Sequence, residues 1–236
     1  MTMQVLQNEK QILTARHELE KKGASCLESR LLPFLRKYKL VGGVTLGDFL
    51  KSWDVLKTLE FIESNIQKGE PIIDFGSYAS EILVALHKMG YSNLTGADLN
   101  PNLKKMPHQG AIKYEITNFL KTKFADNSFK AITSISVIEH GFNAAALLSE
   151  VSRLLQPGGY FIASFDYWPQ KIDTTGITFF DMEWNIFSEN EIIDFVEQAK
   201  SYGLTAEGEM SYSGQDAPIE CGGKSYTFGW LVLKKK

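Results

Sequence analysis

Cysteine is nearly absent. Cys26 and Cys221 are the only two in 236 residues, they lie far apart, and no CxxC spacing occurs, so neither a disulfide framework nor a zinc site is expected. Both are expected to be reduced and structural, and no metal is expected. Positive charge is not in excess either: the net charge is −3 and the pI is near 5.9. With no basic run interleaved with aromatics, no nucleic-acid partner is expected, and a polyanionic substrate is disfavoured. No apolar stretch reaches the length of a membrane span, and the opening MTMQVLQNEKQ has no apolar signal core. A soluble, cytoplasmic protein without a membrane partner is therefore expected. Internal repeats and low-complexity tracts are also missing. What remains is 44% apolar content, enough for one large α/β domain with an N-terminal extension.

Glycine is scarce where it matters most. The chain is organised around Pro71 to Asn100, PIIDFGSYASEILVALHKMGYSNLTGADLN. Ile72 and Ile73 open a short apolar run, Asp74 ends it, Gly76 makes a tight turn, and Ile82, Leu83, Ala85 and Leu86 then recur at helical spacing. Asn93 to Ala97 is a second buried strand that ends on Asp98. A strand, turn, helix and strand with a carboxylate at the second strand's tip is the first half of a doubly wound nucleotide-binding sheet, where that carboxylate can take both hydroxyls of a ribose. The loop Asp74-Phe75-Gly76-Ser77-Tyr78-Ala79-Ser80 holds one glycine. A pyrophosphate needs close backbone approach at several glycines, so a dinucleotide is disfavoured. A cofactor with a ribose and an adenine but no phosphate, such as S-adenosylmethionine, tolerates a single glycine.

Residues 5–22 carry Ile12, Ala15 and Leu19 among dense charge, which predicts an amphipathic helix stopped by Gly23. Cys26 to Leu40 is a second leucine-rich segment interrupted by Pro33, where it should bend or restart. Gly42-Gly43 is the expected hinge. Thr45 or Asp48 should cap a helix whose core stripe is Phe49, Trp53, Leu56, Leu59 and Ile62. Beyond Asp98, strands are predicted at Ala111 to Ile116, Phe129 to Val137 and Tyr160 to Phe165. A helix from Ala144 to Leu155 should be closed by Gln156-Pro157-Gly158-Gly159. Ser188-Glu189-Asn190-Glu191 is a capping-box signal in front of a helix over 192–202. Leu204 to Met210 and Tyr226 to Leu233 should form a closing strand pair.

From Ile72 to Leu233 the order of signals resembles a class I S-adenosylmethionine-dependent methyltransferase of the small-molecule subgroup. IIDFGSYAS stands at that family's first glycine motif, with Tyr78 and Ser80 where its second and third glycines fall. Asp98 in GADLN stands at the ribose-binding acid. ADNSFKAITSISVIEHG resembles the fourth-strand region, with Lys130 in place of the usual Asp, and LLSEVSRLLQPGGYFIAS resembles the following helix, turn and fifth strand. The resemblance implies a doubly wound, mainly parallel seven-stranded sheet with helices on both faces and an N-terminal helical cap. Residues 1–45 would be the extension and 46–236 the methyltransferase domain, with a substrate-side insertion at about 165–187. It also implies S-adenosyl-L-methionine contacts from Asp74, Gly76, Ser77, Tyr78, Ser80, Asp98, Leu99, Asn118, Phe119 and Ser136. Asn118 is preferred over Glu115 as the partner of the adenine amino group.

Methyl transfer to a hydroxyl needs an aligned nucleophile and removal of its proton. His140, just past the fourth strand, is the candidate base, the alternative being a histidine that packs the adenine. Glu139 is expected to bond loop amides beneath the cofactor. Phe165 to Phe187 is rich in aromatics and carboxylates, and Asp166, Tyr167, Trp168, Glu183 and Trp184 are the candidate contacts to a sugar or natural-product acceptor. Tyr167, Trp168 and Trp184 could instead fill core beneath a lid. The expected activity is methylation of a small molecule, at oxygen before nitrogen. A catalytically silent binding protein is the alternative, and a pyridine-nucleotide oxidoreductase is disfavoured. A homodimer is compatible with the sequence.

Overall fold

The computed structural model of the chain describes residues 2–27, 38 and 42–236. The predicted Cys26 to Leu40 segment falls mostly outside the described residues. Strand β1 (Met3–Val5) precedes helix α1 (Glu9–Lys21), which Asn8 caps by accepting from the Gln11 amide and which buries Ile12, Ala15, Arg16 and Leu19. Asp48 caps a 3-10 turn (Phe49–Lys51) through the Leu50 amide, and α2 (Ser52–Asn65) follows. Trp53, Leu56, Leu59 and Ile62 are buried as their spacing predicts, whereas Phe49, in the 3-10 turn, is 40% exposed. Next come β2 (Ile72–Phe75), α3 (Ile82–Lys88), β3 (Leu94–Asp98), β4 (Ile112–Ile116), β5 (Phe129–Ile135) and α4 (Ala144–Leu154). The remainder is β6 (Leu155–Tyr167), β7 (Thr178–Phe179), β8 (Met182–Glu183), α5 (Glu189–Lys200), β9 (Leu204–Thr205), β10 (Ile219–Cys221) and β11 (Lys224–Lys235).

The main sheet runs β1-β11-β6-β5-β2-β3-β4, with β9 and β10 also paired to β11. The five strands from β6 to β4 are mutually parallel, and β11 lies antiparallel to both β6 and β1. This is the mainly parallel sheet the sequence predicts, seven strands long on its main path. On the main path one strand was not foreseen: Met3 to Val5 lies in it, although residue 5 was expected to begin a helix. Met3 and Val5 point into the core, and pairing them covers an edge of β11 that would otherwise be open. The Gly158-Gly159 turn is part of the β6 span, at a register shift opposite Phe129 and Ala131. A Cβ on Gly159 would lie 2.8 Å from Gln156 O and 2.9 Å from Lys130 O. The expected closing pair shrinks to Lys234 with Thr205 and Lys235 with Leu204. Ser188 and Glu191 form the capping box that the sequence signals.

Helices cover both faces. Ile12, Leu59 and Leu83 of α1, α2 and α3 join one core, while Leu148 and Phe195 of α4 and α5 join the other. Each wholly buried Leu, Ile or Phe contributes roughly 1.5–3 kcal/mol of transfer free energy. The chain runs outward from β2 through β3 to β4, then returns to the other side of β2 at β5. That reversal opens a crevice at the carboxyl ends of β2 and β5, where ligands bind in such sheets. Among the described residues, no helix is long and apolar enough to cross a membrane.

Candidate active site

The first wall of the crevice is the loop after β2. Asp74 is 1% exposed; Thr133 Oγ1 donates to its Oδ1 at 2.6 Å, and burial pushes the carboxyl up to about 7. Gly76 follows at φ 72°, where an added Cβ would meet Val137 Cγ2 at 2.3 Å. Both backbone and space therefore require glycine here. The amides from 76 to 80 are all committed within the protein. Gly76 and Ser77 donate to Ala97 O, and Ser80 donates to Ser77 O. Tyr78 donates to Asp98 Oδ2 at 2.9 Å, and Ala79 faces Met106 Sδ at 3.3 Å. No nest of free N–H groups is left for a phosphate.

Asp98, at the tip of β3, also accepts from the Asn100 amide through Oδ1 at 2.8 Å. A carboxylate has roughly four acceptor sites, so two are left for neighbouring hydroxyls. Leu99, beside it, is 57% exposed. Ser77 is fully buried and turns its Oγ toward Gly96, beneath the loop. Ser80 Oγ accepts from the Ile82 amide at the start of α3, and Tyr78 packs half-buried on the core. Asn118 is exposed and closes a local turn onto the Leu120 amide, while Phe119 stacks on Phe75 at 5.1 Å. Glu115 pairs with Lys113 on β4.

The second wall lies past β5 and β6. Ser136 ends β5 at φ 51° and accepts from Lys51 Nζ at 2.5 Å. His140 is clasped by the β7–β8 hairpin: Gly141 N donates to Glu183 O, Asn185 N donates to Glu139 O, and His140 bridges to Trp184. Phe179 and Phe180 stand edge-on to its ring at 6.1 and 5.4 Å. Burial, with Lys51 adding to it, lowers the His140 pKa to about 4, and the buried Nδ1 has no hydrogen-bond partner among the described residues. The imidazole is thus neutral and able to accept.

Behind it are three buried carboxylates. Asp54, Glu139 and Asp166 are 0%, 1% and 4% exposed. Ser164 Oγ donates to Asp54 Oδ2 and Trp184 Nε1 donates to Asp166 Oδ2, both at 2.7 Å. Burial raises the pKa of all three, Asp54 to about 7, against the charge of Lys51.

The fold thus sets Gly76 beside Asp98 and gathers Ser136, His140, Asp166 and Trp184 through Lys51 and the hairpin. Tyr167 is fully buried with its hydroxyl donating to Tyr212 O, a core position. Trp168 is half-buried and Glu183 lies exposed on β8. Glu139 does not bond loop amides: among the described residues neither of its oxygens has a hydrogen-bond partner, because those amides go to Ala97 O and Asp98. Sequence reading passed over Lys51 and Asp54. The signal was there for Asp54, a charged residue set between Trp53 and Val55 in a helix that buries all three. No group of three or more His, Cys, Asp or Glu among the described residues is arranged to hold a metal ion.

Comparison with known proteins agrees with this geometry. Residues 73–163 match the family described as "Methyltransferase domain". Over 170 residues the chain is 26% identical to the ubiquinone/menaquinone biosynthesis C-methyltransferase UbiE of Desulfotalea psychrophila, which covers 68% of this chain and 61% of that protein. Over 105 residues it is 28% identical to the methyltransferase phqN of Penicillium fellutanum, covering 41% of this chain and 32% of that protein. In fold it resembles the geranyl diphosphate C-methyltransferase of Streptomyces coelicolor, solved with S-adenosyl-L-homocysteine, at a TM-score of 0.55 and 15% identity, covering 76% of this chain and 78% of that one. The chain thus spans from about a third to three fifths of the length of these two curated relatives. Residues 73–163 thus match a methyltransferase domain, and the fold is similar to that of S-adenosylmethionine-dependent methyltransferases. The residues fit that family's cofactor. The Gly76 cradle would be filled by any Cβ, the Asp98 carboxylate has acceptor sites for a ribose diol, and the loop has no free amides of the kind a pyrophosphate would need.

Proposed function

We propose that the protein transfers a methyl group from S-adenosylmethionine to a small-molecule acceptor, at a hydroxyl of a sugar or natural-product scaffold. The observation that carries this reading is the glycine loop, whose amides are all used internally, the Tyr78 amide donating to the Asp98 carboxylate at the tip of β3. When bound, the cofactor supplies an activated methyl on a sulfonium. Asp98 would bind the ribose hydroxyls, and Gly76 would let the amino-acid end approach the backbone. His140, neutral above a pKa of about 4, would accept the acceptor's proton on its imidazole. The hairpin over it would hold the acceptor in line and limit water. A carbon acceptor is the second reading, supported by the names of UbiE and the geranyl diphosphate enzyme; it makes the same demand for a base. Calorimetry with S-adenosylhomocysteine and with NAD tests the cofactor, and a panel of sugar nucleotides and hydroxylated metabolites with radiolabelled cofactor tests the acceptor. Binding of NAD without S-adenosylhomocysteine would overturn the proposal.

A further inference from the structure

Beneath the β7–β8 hairpin, one ammonium faces three carboxylates. Lys51 Nζ lies 3.9 Å from Asp166 Oδ1 and 3.9 Å above the centre of the Phe228 ring, and it donates to Ser136 Oγ. Asp54 and Glu139 feel the same charge. Four oxygens of this cluster, Asp54 Oδ1, Asp166 Oδ1 and both of Glu139, are buried without a hydrogen-bonding partner among the described residues. Buried acceptors of this kind cost free energy until a donor reaches them. An aromatic row forms the wall: Trp184 packs edge-on against Tyr226 at 5.6 Å, and Tyr226 against Phe228 at 6.2 Å. Carboxylates beside aromatic faces form a receptor for an organic ammonium, and the protein already seats one there. Lys51 reaches in from the crevice with its side chain 24% exposed, so its stem marks a way in from solvent.

We infer that this box binds an ammonium group carried by the methyl acceptor, which makes the substrate an amine-bearing small molecule and Lys51 a resident cation that swings out when it enters. This rests on the methyltransferase reading of the same site. Two carboxyls are in excess over Lys51; burial raises the pKa of all three, and an entering ammonium would favour their ionised forms. A metal ion is the weaker occupant, given the absence of a ligating group of side chains among the described residues and the aromatic wall.

The test uses n-butylammonium, the analogue of a lysine side chain, against n-butanol, each titrated by tryptophan fluorescence into the protein saturated with S-adenosylhomocysteine. The wild type should prefer the amine at least about tenfold. Lys51→Ala should bind it about tenfold more tightly than the wild type, because the competing cation is gone. Asp166→Asn should lose the preference while retaining S-adenosylhomocysteine, and Glu139→Gln gives the same reading should Asp166→Asn fail to fold. Equal binding of amine and alcohol, no amine binding, or an unchanged preference in both carboxylate variants would overturn the inference. A wild type that prefers the amine but ignores S-adenosylhomocysteine would keep the box and remove the methyltransferase reading instead.

Discussion

The two walls of the crevice are built on opposite principles. Around Gly76 and Asp98, each loop amide has an acceptor within a single stretch of chain, although Asp74 Oδ2 and Ser77 Oγ are buried without a partner among the described residues. Around His140, the polar groups come from five distant segments, and several are left unsatisfied: Asp54, Glu139, Asp166 and the His140 Nδ1. A self-satisfied wall is rigid before anything binds and suits a ligand that never varies. A wall with buried, unpartnered acceptors gains most from a donor brought in by a ligand, and on the proposed reading it is where specificity for an acceptor would be set.

The largest effect on cofactor binding should come from the rigid wall. Gly76→Val introduces a side chain where even a Cβ would lie 2.3 Å from Val137 Cγ2, at a φ of 72°. S-adenosylhomocysteine binding should weaken by at least about 100-fold, some 3 kcal/mol, with a stability loss of about 1–3 kcal/mol from overpacking. Calorimetry and melting measure both, and near-normal affinity would place the cofactor elsewhere. The unsatisfied wall should answer differently. His140→Ala should lower turnover roughly 10²–10⁴-fold and leave S-adenosylhomocysteine affinity nearly intact, since its contribution is made in the transition state. His140→Gln should fail too, because it cannot accept the proton. Should affinity fall and turnover survive, the ring packs the cofactor and the two walls are not distinct in role.

Asp98→Ala is expected to cost about 1.5–3 kcal/mol of cofactor binding, or roughly 10–150-fold, through loss of a charged acceptor for the ribose diol. It also frees the Tyr78 and Asn100 amides, so Asp98→Asn, which keeps one oxygen, should lose less. An unchanged dissociation constant in a folded Asp98→Ala would take this residue out of the site.

The same contrast decides what was legible in the sequence. The rigid wall is local: strand, glycine turn, helix, strand and a terminal acid follow in about thirty residues, and the structure keeps that order. The other wall is assembled by long-range packing. Lys51 and Asp54 lie just before and within the first turn of α2, and nothing in its 3.6-residue period says that this end meets Ser136 and Ser164. β1 was missed for a related reason. Three residues pair only because β11 presents an edge far away in sequence, and periodicity over so short a stretch carries no signal. The Phe180-Asp181 hairpin turn has positive φ at both residues without the Asn-Gly or Asp-Gly that normally announces it.

The smallest effect is thermodynamic and comes from Asp74, a buried carboxyl inside the rigid wall. Its Oδ2 has no partner among the described residues, and burial raises its pKa to about 7, above the ordinary value near 3.9. A carboxyl whose folded pKa is raised takes up a proton on folding, so its contribution is full below about pH 4 and is lost as pH rises through 7. Asp54 has the same sign. His140, lowered to about 4, acts in the opposite direction, since the unfolded state binds its proton first as pH falls below about 6.5. Between about pH 6.5 and 8 His140 is largely neutral in both states, which leaves the carboxyls to set the slope. Melting temperature should therefore fall as pH rises across that window. Asp74→Asn keeps an oxygen for Thr133 Oγ1 and removes the titration, so it should flatten the fall by about 1 kcal/mol, roughly 2–4 °C for a chain of this size. A wild type whose melting does not change with pH, or a variant with the full slope, would show that Asp74 is ionised in the folded state, and this wall would then hold a buried charge.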